Sequence, residues 1–91
     1  MPQAKLWVAE LLISEWTAAK IAGRHHLTPS AVRDAIVCVV GLQYVWHSDA
    51  ERGLRVIVST SVEEQTVRVV LYPAQHHPMG DVYHLGSAYP L

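Results

Sequence analysis

The sequence predicts an α+β fold of order β-α-α-β-β-β-β, an antiparallel sheet with two helices packed on one face. Two observations predict the helices: a serine at position 14 and a Thr-Pro step at positions 28 and 29 each precede a segment of helix formers. A third predicts the sheet, because from residue 42 onward the apolar residues recur with period two in runs separated by short turns. Strands joined in succession by short turns form an antiparallel meander.

Length and composition indicate a single domain spanning residues 1–91. The chain is 51% hydrophobic with a mean hydropathy of +0.15, so a partner or a second copy is expected to bury part of its apolar surface. Seven basic residues against eight acidic ones give a net charge of -1. Domains held to nucleic acid by bulk charge are strongly basic, so any RNA or DNA contact is expected from a local cluster.

Three features of the sequence indicate a cytoplasmic protein. Cys38 is the only cysteine and stands among valines, so we expect a small buried apolar residue and no disulfide. The first residues lack the basic start and long apolar run of a signal peptide. No apolar stretch approaches the length of a membrane span.

The N-terminal segment predicts a strand and then a helix. Residues 6–13, LWVAELLI, form an apolar run of strand length. Ser14 is expected to cap the helix that follows, with Glu15 in its first turn, where the helix dipole favours an acid. The segment EWTAAKIAGRHH then predicts one stripe of small and aromatic residues and, beside it, a basic pair one turn apart. The stripe is Trp16, Ala19 and Gly23, and the pair is Lys20 and Arg24.

The second helix has the clearer start signal, with Thr28 as the expected cap and Pro29 at the first helical position. It is expected to end at Gly41, because glycine is the residue most common just after a helix. Its predicted apolar face comprises Val32, Ala35, Ile36, Val39 and Val40.

Four strands are predicted after the helices, at residues 42–48, 54–62, 66–72 and 82–88. Turns at DAERG and EEQ join the first three, and the loop PAQHHPMGD precedes the last. Alternation in the two middle strands places their valines on one face, which we expect to meet the helices. In the last strand, Tyr83, Leu85 and Tyr89 are expected on this core face because they form the larger apolar set.

The opposite, open face of the sheet is where chemistry is expected. The same alternation places Arg55, Arg68, Tyr72 and His84 there, with Gly86 and Ala88 beside the histidine leaving room above the sheet. These residue types suit phosphodiester chemistry, because arginine holds a phosphate and its developing charge and histidine transfers protons near neutral pH. Tyrosine stacks on a base or donates its hydroxyl. A sheet face that contacts water carries polar residues whether or not it is catalytic, so a non-catalytic open face stays an alternative.

The histidines and tryptophans leave further alternatives open. A metal site formed by His76, His77 and His84 is one interpretation of the six histidines. Since no carboxylate or thiol stands at a recognised ligand spacing, solvated or helix-capping histidines are favoured over a metal. The tryptophans at positions 7, 16 and 46 are expected to anchor the core or an interface, with base stacking as the second interpretation.

Two short motifs resemble a known family. W-T-A-A-K at 16–20 has a tryptophan followed four residues later by lysine. R-H-H-L-T at 24–28 has a basic residue, a histidine and a hydrophobic residue before the hydroxyl side chain that opens the second helix, with His26 where the family has glycine. Together with the order of elements, these motifs resemble the BrnT branch of the RelE-like toxins over residues 12 to about 88. Such proteins are bacterial ribonuclease toxins of type II toxin–antitoxin modules.

The resemblance implies a metal-independent mRNA endoribonuclease without a cofactor, in which the 2′-hydroxyl of the RNA is the nucleophile. It implies an acid/base role for His84 and phosphate contacts for Arg55 and Arg68, with Tyr72 beside them in the catalytic site. The neighbouring RNA-facing patch is then formed by Lys20, Arg24 and His25. The resemblance also implies a cognate antitoxin that covers the open sheet face.

The competing hypothesis is a non-catalytic domain for protein interaction or homo-oligomerisation. The apolar excess and the near-neutral charge favour it, because both suit a surface that is buried against another protein.

Overall fold

The computed structural model describes residues 6–51, 53–74 and 81–91, and it confirms the predicted α+β fold and its order of elements. The strands are β1 (Glu10–Leu12), β2 (Gln43–Asp49), β3 (Gly53–Val62), β4 (Gln65–Pro73) and β5 (Val82–Pro90). The helices, α1 (Glu15–His25) and α2 (Pro29–Ile36), pack on one face of the sheet. Within these ranges, neither helix combines the length and the apolar character that a membrane crossing needs.

The five strands form one sheet in the order β1-β5-β4-β3-β2, and this sheet is mixed. From β2 to β5 each strand pairs antiparallel with the next, as predicted for a meander. β1 instead runs parallel to β5, with Glu10 opposite Val82 and Leu12 opposite His84. The prediction of an antiparallel sheet throughout is wrong at this edge, because no short turn links the two strands and the local pattern therefore does not set their direction.

β1 is three residues long, whereas the apolar run of residues 6–13 predicted a longer strand. Val8 is fully buried, as the run suggests, but the backbone around it bonds elsewhere. The Val8 carbonyl accepts a hydrogen bond from the Cys38 amide at 2.8 Å, and the Ala9 amide donates to the Asp81 carbonyl at 2.8 Å. This segment therefore fills the core without extending the sheet.

Helix α1 begins as predicted, because the Ser14 Oγ accepts a hydrogen bond from the Thr17 amide at 3.1 Å. It ends at His25, and the next residue, His26, has a left-handed backbone with φ 55°. The buried residues of the helix are Thr17 and Ile21. Since residues four apart share one helix face, their burial turns the stripe that contains Trp16 toward solvent.

All three tryptophans are at least partly exposed, at 38% for Trp7, 76% for Trp16 and 40% for Trp46. The expectation of core anchors is therefore wrong, and interface anchoring and base stacking stay predictions. Aliphatic side chains fill the core instead. They include Ile21, Val32, Ile36, Val56, Val58, Val67, Val69 and Leu71.

Helix α2 begins at Thr28 and the proline after it, as predicted, although the Thr28 side chain makes no capping hydrogen bond. It ends at Ile36, well before Gly41, where the pattern predicted its end. The residues that follow, VCVV, are mostly β-branched and are weak helix formers. An apolar run therefore continues past the point where the helix stops.

The segment after α2 corrects two further expectations. Val37 is extended and Cys38 is left-handed with φ 58°, because the Cys38 amide bonds to the Val8 carbonyl instead of continuing the helix. Cys38 is exposed and not buried. Val40, predicted on the apolar face of the helix, is 79% exposed.

The two predicted turns between β2, β3 and β4 are confirmed. Asp49 pairs with Gly53, so the first turn lies within DAERG. Val62 pairs with Gln65, so the second has two residues, both glutamates, with φ of 51° and 68°. Positive φ at both positions is what a type I′ turn requires, and this turn matches the twist of the strands it joins.

Candidate functional site

Four polar side chains lie in one line across the open face of the sheet, opposite the helices. His47 on β2 pairs with Arg55 on β3, and Tyr72 on β4 pairs with His84 on β5. Arg55 and Tyr72 occupy the next position of the β3–β4 register, just beyond its last pair. We call His47, Arg55, Tyr72 and His84 the transverse row. With strands about 4.8 Å apart, the row spans roughly 14 Å.

The structure brings three of the predicted catalytic residues together in this row and separates the fourth. Arg55, Tyr72 and His84 lie on successive strands at one level of the sheet. Arg68 pairs with Tyr89 further along β4, roughly 14 Å from Tyr72 at about 3.4 Å per residue. A phosphate held beside His84 is therefore closer to Arg55 than to Arg68.

Exposure differs between the outer and inner members of the transverse row. The two histidines at its ends are exposed, whereas Arg55 and Tyr72 between them are half-buried. The Nε atom of Arg55 is buried. An imidazole that exchanges protons with a substrate must be accessible, and a guanidinium held by its surroundings is preorganised for a phosphate. The row therefore combines two accessible imidazoles with a half-buried cation.

The space beside His84 is occupied, contrary to the expectation from the small residues around it. A β carbon added at Gly86 would overlap the Cε2 atom of Tyr72 and lie 2.9 Å from its Cδ2 atom. The ring of Tyr72 therefore lies across Gly86, where β5 has no side chain. Covering a strand glycine with an aromatic ring stabilises the sheet, so Tyr72 has a packing role as well as its place in the row.

A β-bulge at Gly86 changes the face of the residues that follow it. The register of β4 against β5 shifts between Val70 and Leu71, which leaves Gly86 as the extra residue on β5. Beyond it, Ala88 is fully buried and Tyr89 lies on the open face, half-buried. The predictions of a core Tyr89 and an open-face Ala88 are wrong, because they assumed unbroken alternation.

A second basic surface lies on α1. Trp16, Ala19, Lys20 and Arg24 line a groove of about 240 Å³, which we call the α1 groove. The Lys20 Nζ donates to the Gly86 carbonyl at 3.0 Å, which ties the helix to β5 beyond the residues that β1 pairs. The ring of His25 lies 6.4 Å from that of Tyr89, between centroids. The three residues predicted to contact RNA therefore lie along the α1–β5 side of the molecule.

A cleft of about 520 Å³ opens at the β1 edge of the sheet, and we call it the edge cleft. Its lining residues are Glu10, Leu11, Leu12, Ile13, Ser14, Arg33 and His84. Arg33 reaches it from α2, and its Nη2 donates to the Leu11 carbonyl at 3.2 Å. His84 thus belongs both to the transverse row and to the edge cleft, which it shares with a carboxylate and a guanidinium.

Three residues of these surfaces were not predicted: His47, Glu10 and Arg33. The β2–β3 register places His47 opposite Arg55, but the turn DAERG is long enough to permit more than one register. Glu10 and Arg33 reach His84 only through the parallel pairing of β1 and the position of α2. No local pattern in the sequence signals either one.

Tyr83 precedes His84 in the chain but lies on the core face, 6% exposed. Burial raises the pKa of its hydroxyl, and Asp81 and then Tyr44 raise that pKa further. The phenol therefore stays protonated at neutral pH and is no base for chemistry on the open face.

In the part of the chain that the structure describes, no three histidine, cysteine, aspartate or glutamate side chains come together in a group that could hold a metal ion. His76 and His77, the two histidines that the metal hypothesis combined with His84, lie outside the described residues.

No family model matches the chain, and neither a curated protein nor a solved structure matches it.

Proposed function

We propose that this protein is a metal-independent endoribonuclease that binds single-stranded RNA across the open face of its sheet. The transverse row supports the proposal: His84 lies two strands from Arg55 on the open face, with Tyr72 on the strand between them. Cleavage of a phosphodiester needs a group that moves protons and a positive charge that stabilises the phosphate. An aromatic ring on a sheet is a stacking surface for a base.

The reaction uses the 2′-hydroxyl of the RNA as its nucleophile. The O2′–P bond forms while the P–O5′ bond breaks, which yields a 2′,3′-cyclic phosphate and a free 5′-hydroxyl. His84 transfers a proton in this step, and Arg55 binds the phosphate oxygens and stabilises their charge. Tyr72 supports the nucleotide that lies over it.

Flanking nucleotides contact the α1 groove and the Arg68–Tyr89 pair. The groove combines the exposed indole of Trp16 with basic side chains, and Arg68 lies beside Tyr89 on the open face. Aromatic side chains next to basic ones bind single-stranded RNA by stacking and by phosphate contacts. With a net charge of -1, attraction over a distance is weak, so affinity depends on these local contacts.

We place this activity in the cytoplasm, as the toxin of a bacterial type II toxin–antitoxin pair. An mRNA endonuclease needs a partner that blocks it, and the open face offers such a partner apolar contacts at the two ends of the transverse row. Leu12 beside His84 is 36% exposed, and Val45 on β2 is 67% exposed. An antitoxin bound there would cover the row and exclude RNA.

Cleavage of a fluorescent single-stranded RNA by the purified protein in EDTA tests the proposal. The wild type is expected to release products that end in a 2′,3′-cyclic phosphate, and His84→Ala to lower the rate about 100-fold or more. Ser61→Ala is the matched control, since Ser61 is exposed on β3 outside the transverse row, and it should keep the full rate. Equal melting temperatures would show that the variants fold.

The same three proteins expressed in bacterial cells test the toxin assignment. Growth arrest with shortened mRNA is expected for the wild type and for Ser61→Ala, and normal growth for His84→Ala. Intact RNA in both assays with folded wild-type protein would reject the proposal.

Assembly of this chain with a second copy through the β2 edge is a second candidate function. β2 is seven residues long, lies at the edge of the sheet and pairs with β3 without a register shift. Its sequence, QYVWHSD, has no lysine, arginine or proline, the residues that protect an edge strand from pairing with another chain. Val45 and Trp46 on this strand are 67% and 40% exposed.

Sedimentation over a range of protein concentrations tests this assembly. A dimer is expected for the wild type and a monomer for Val45→Lys, because the added charge disfavours edge-to-edge pairing. Ser61→Lys, on the inner strand β3, should leave the mass unchanged. A monomeric wild type at every concentration would exclude the β2 interface.

A further inference from the structure

Glu10 and His84 share the edge cleft and project from the same face of the sheet. In the parallel β1–β5 pair, Leu12 lies opposite His84 and Glu10 opposite Val82. Leu11 between them is 2% exposed and faces the core, so Glu10 and Leu12 face the other way, with His84. Glu10 is therefore a diagonal neighbour of His84, roughly 8 Å away by strand spacing and rise per residue, and both side chains are exposed.

This separation suits two groups that exchange protons with opposite sides of one phosphorus atom. In attack by a 2′-hydroxyl, the entering and leaving oxygens lie roughly in line on either side of the phosphorus. One proton must leave the entering oxygen and another must reach the leaving oxygen, and a single imidazole cannot hold both positions in one step. His47 lies about 14 Å from His84 at the other end of the transverse row and is too distant to be the second group.

We propose that Glu10 is the general base and His84 the general acid of RNA cleavage, an inference that rests on the proposed function. The ionised Glu10 carboxylate takes the proton from the 2′-hydroxyl as the O2′–P bond forms. The P–O5′ bond breaks with its electron pair going to O5′, which takes the proton from the His84 imidazolium. The step leaves a 2′,3′-cyclic phosphate, a 5′-hydroxyl, a protonated Glu10 and a neutral His84. Proton exchange with water restores both groups.

Arg33 gives the edge cleft its positive charge. The hydrogen bond from its Nη2 to the Leu11 carbonyl, 3.2 Å long, anchors the guanidinium at the β1 edge. It lines the same cleft as Glu10 and His84. A cation in this position stabilises the charge that develops on the phosphate oxygens. With Arg55 in the transverse row, positive charge then lies on both sides of His84.

The two roles predict a bell-shaped dependence of the rate on pH. A general base must be ionised and a general acid must be protonated, so the rate falls toward low pH and toward high pH. Among the described residues, the titratable and charged groups beside the pair on neighbouring elements are Tyr72 on β4 and Arg33 on α2. Asp81, before β5, lies instead near the buried Tyr83. Removing the Glu10 carboxyl should therefore abolish the acidic limb alone.

Profiles of kcat/KM against pH, measured in EDTA, test the role of Glu10. Glu10→Gln is expected to lower kcat/KM about 100-fold and to lose the acidic limb, and Glu10→Asp to recover part of both. Glu15→Gln is the matched control, because Glu15 is an exposed glutamate in the first turn of α1, outside the edge cleft. It should retain the wild-type profile.

An RNA substrate with sulfur in place of the bridging O5′ separates the two roles. A thiolate leaves without needing a proton, so His84→Ala should cleave this substrate at nearly the wild-type rate, whereas Glu10→Gln should stay slow. Glu10→Gln within twofold of the wild type, with its acidic limb intact, would overturn the inference and leave the proposed function in place. A folded wild type that cleaves neither substrate would remove both.

Discussion

Gly86 and Tyr72 constrain each other across β4 and β5. The Tyr72 ring occupies the space that a β carbon at position 86 would need, and Gly86 is also the extra residue of the bulge. A glycine is therefore required here by the close approach of the ring. The Tyr72 ring of the transverse row fits against β5 because that strand has no side chain at position 86.

Gly86→Ala is expected to destabilise the protein by about 1–3 kcal/mol, because the added methyl group must displace the Tyr72 ring. Gly23→Ala is the control. Nothing lies within 4 Å of a β carbon added there, so the free energy of unfolding should rise by about 0.5–1 kcal/mol. Urea denaturation measures both changes, and a neutral Gly86→Ala would contradict the packing described for Tyr72.

Alkaline pH is expected to destabilise the fold through Tyr83, whose pKa is raised first by burial and then by Asp81 and Tyr44. Above about pH 10 the unfolded chain loses the phenolic proton of Tyr83, whereas the folded state keeps this proton to a higher pH. The native state is therefore fully favoured below about pH 10, and its stability falls as the pH rises further.

Urea denaturation at a series of pH values tests this expectation. Tyr83→Phe should reduce the loss of stability above about pH 10. Tyr89→Phe, which removes a half-exposed phenol on the open face, should not. An unchanged alkaline slope in Tyr83→Phe would contradict the role given to burial.

Period-two alternation was sufficient to predict the open-face positions of Arg55, Tyr72 and His84, because each is flanked along its strand by residues of the core face. It was insufficient for Tyr89, since a one-residue bulge reverses every face after it. The neighbours of a side chain on other strands depend on register and long-range pairing. For that reason Glu10 was found only in the structure.

The starts of the two helices are alike in sequence and different in structure. Ser14 and Thr28 both stand before a first helical turn with extended backbone, but only the Ser14 hydroxyl accepts a hydrogen bond from the helix. Ser14→Ala is therefore expected to cost about 1 kcal/mol of stability, and Thr28→Ala clearly less. Thermal or urea denaturation measures the difference, and equal losses would contradict the assignment of a side-chain cap to Ser14 alone.

Element boundaries were predictable where local geometry determines them. β2, β3 and β4 match their predicted ranges closely, because short turns and alternation specify a meander from neighbouring residues. The end of α2 and the length of β1 were not predictable. Both depend on tertiary hydrogen bonds, from the Cys38 amide to the Val8 carbonyl and from the Ala9 amide to the Asp81 carbonyl, while the apolar pattern of both segments continues past them.

Pairing is uneven across the whole sheet. β3 and β4 have strands on both sides, whereas β1 is an edge strand that pairs through three residues. Amide hydrogen exchange should therefore be slowest in β3 and β4 and much faster in β1. Exchange followed by mass spectrometry or NMR measures this order. Equal protection of β1 and β4 would contradict it.

At the scale of the whole molecule, local patterns predict the two helices, the meander and the packing of the helices on one sheet face. They do not predict which strand pairs with β1. Its pairing joins residues far apart in the chain and makes the sheet mixed. The edge cleft lies at this junction. The surface that best supports a proton-transfer pair is therefore the one that local sequence patterns predict least.

The order in which the ribosome releases the strands gives this junction a further consequence. β1 emerges before either helix, and β5, the strand it needs, is translated after every other strand of the sheet. The wall of the edge cleft that carries His84 is therefore missing from a nascent chain. Each copy of the proposed nuclease would therefore stay inactive until its last strand has been made.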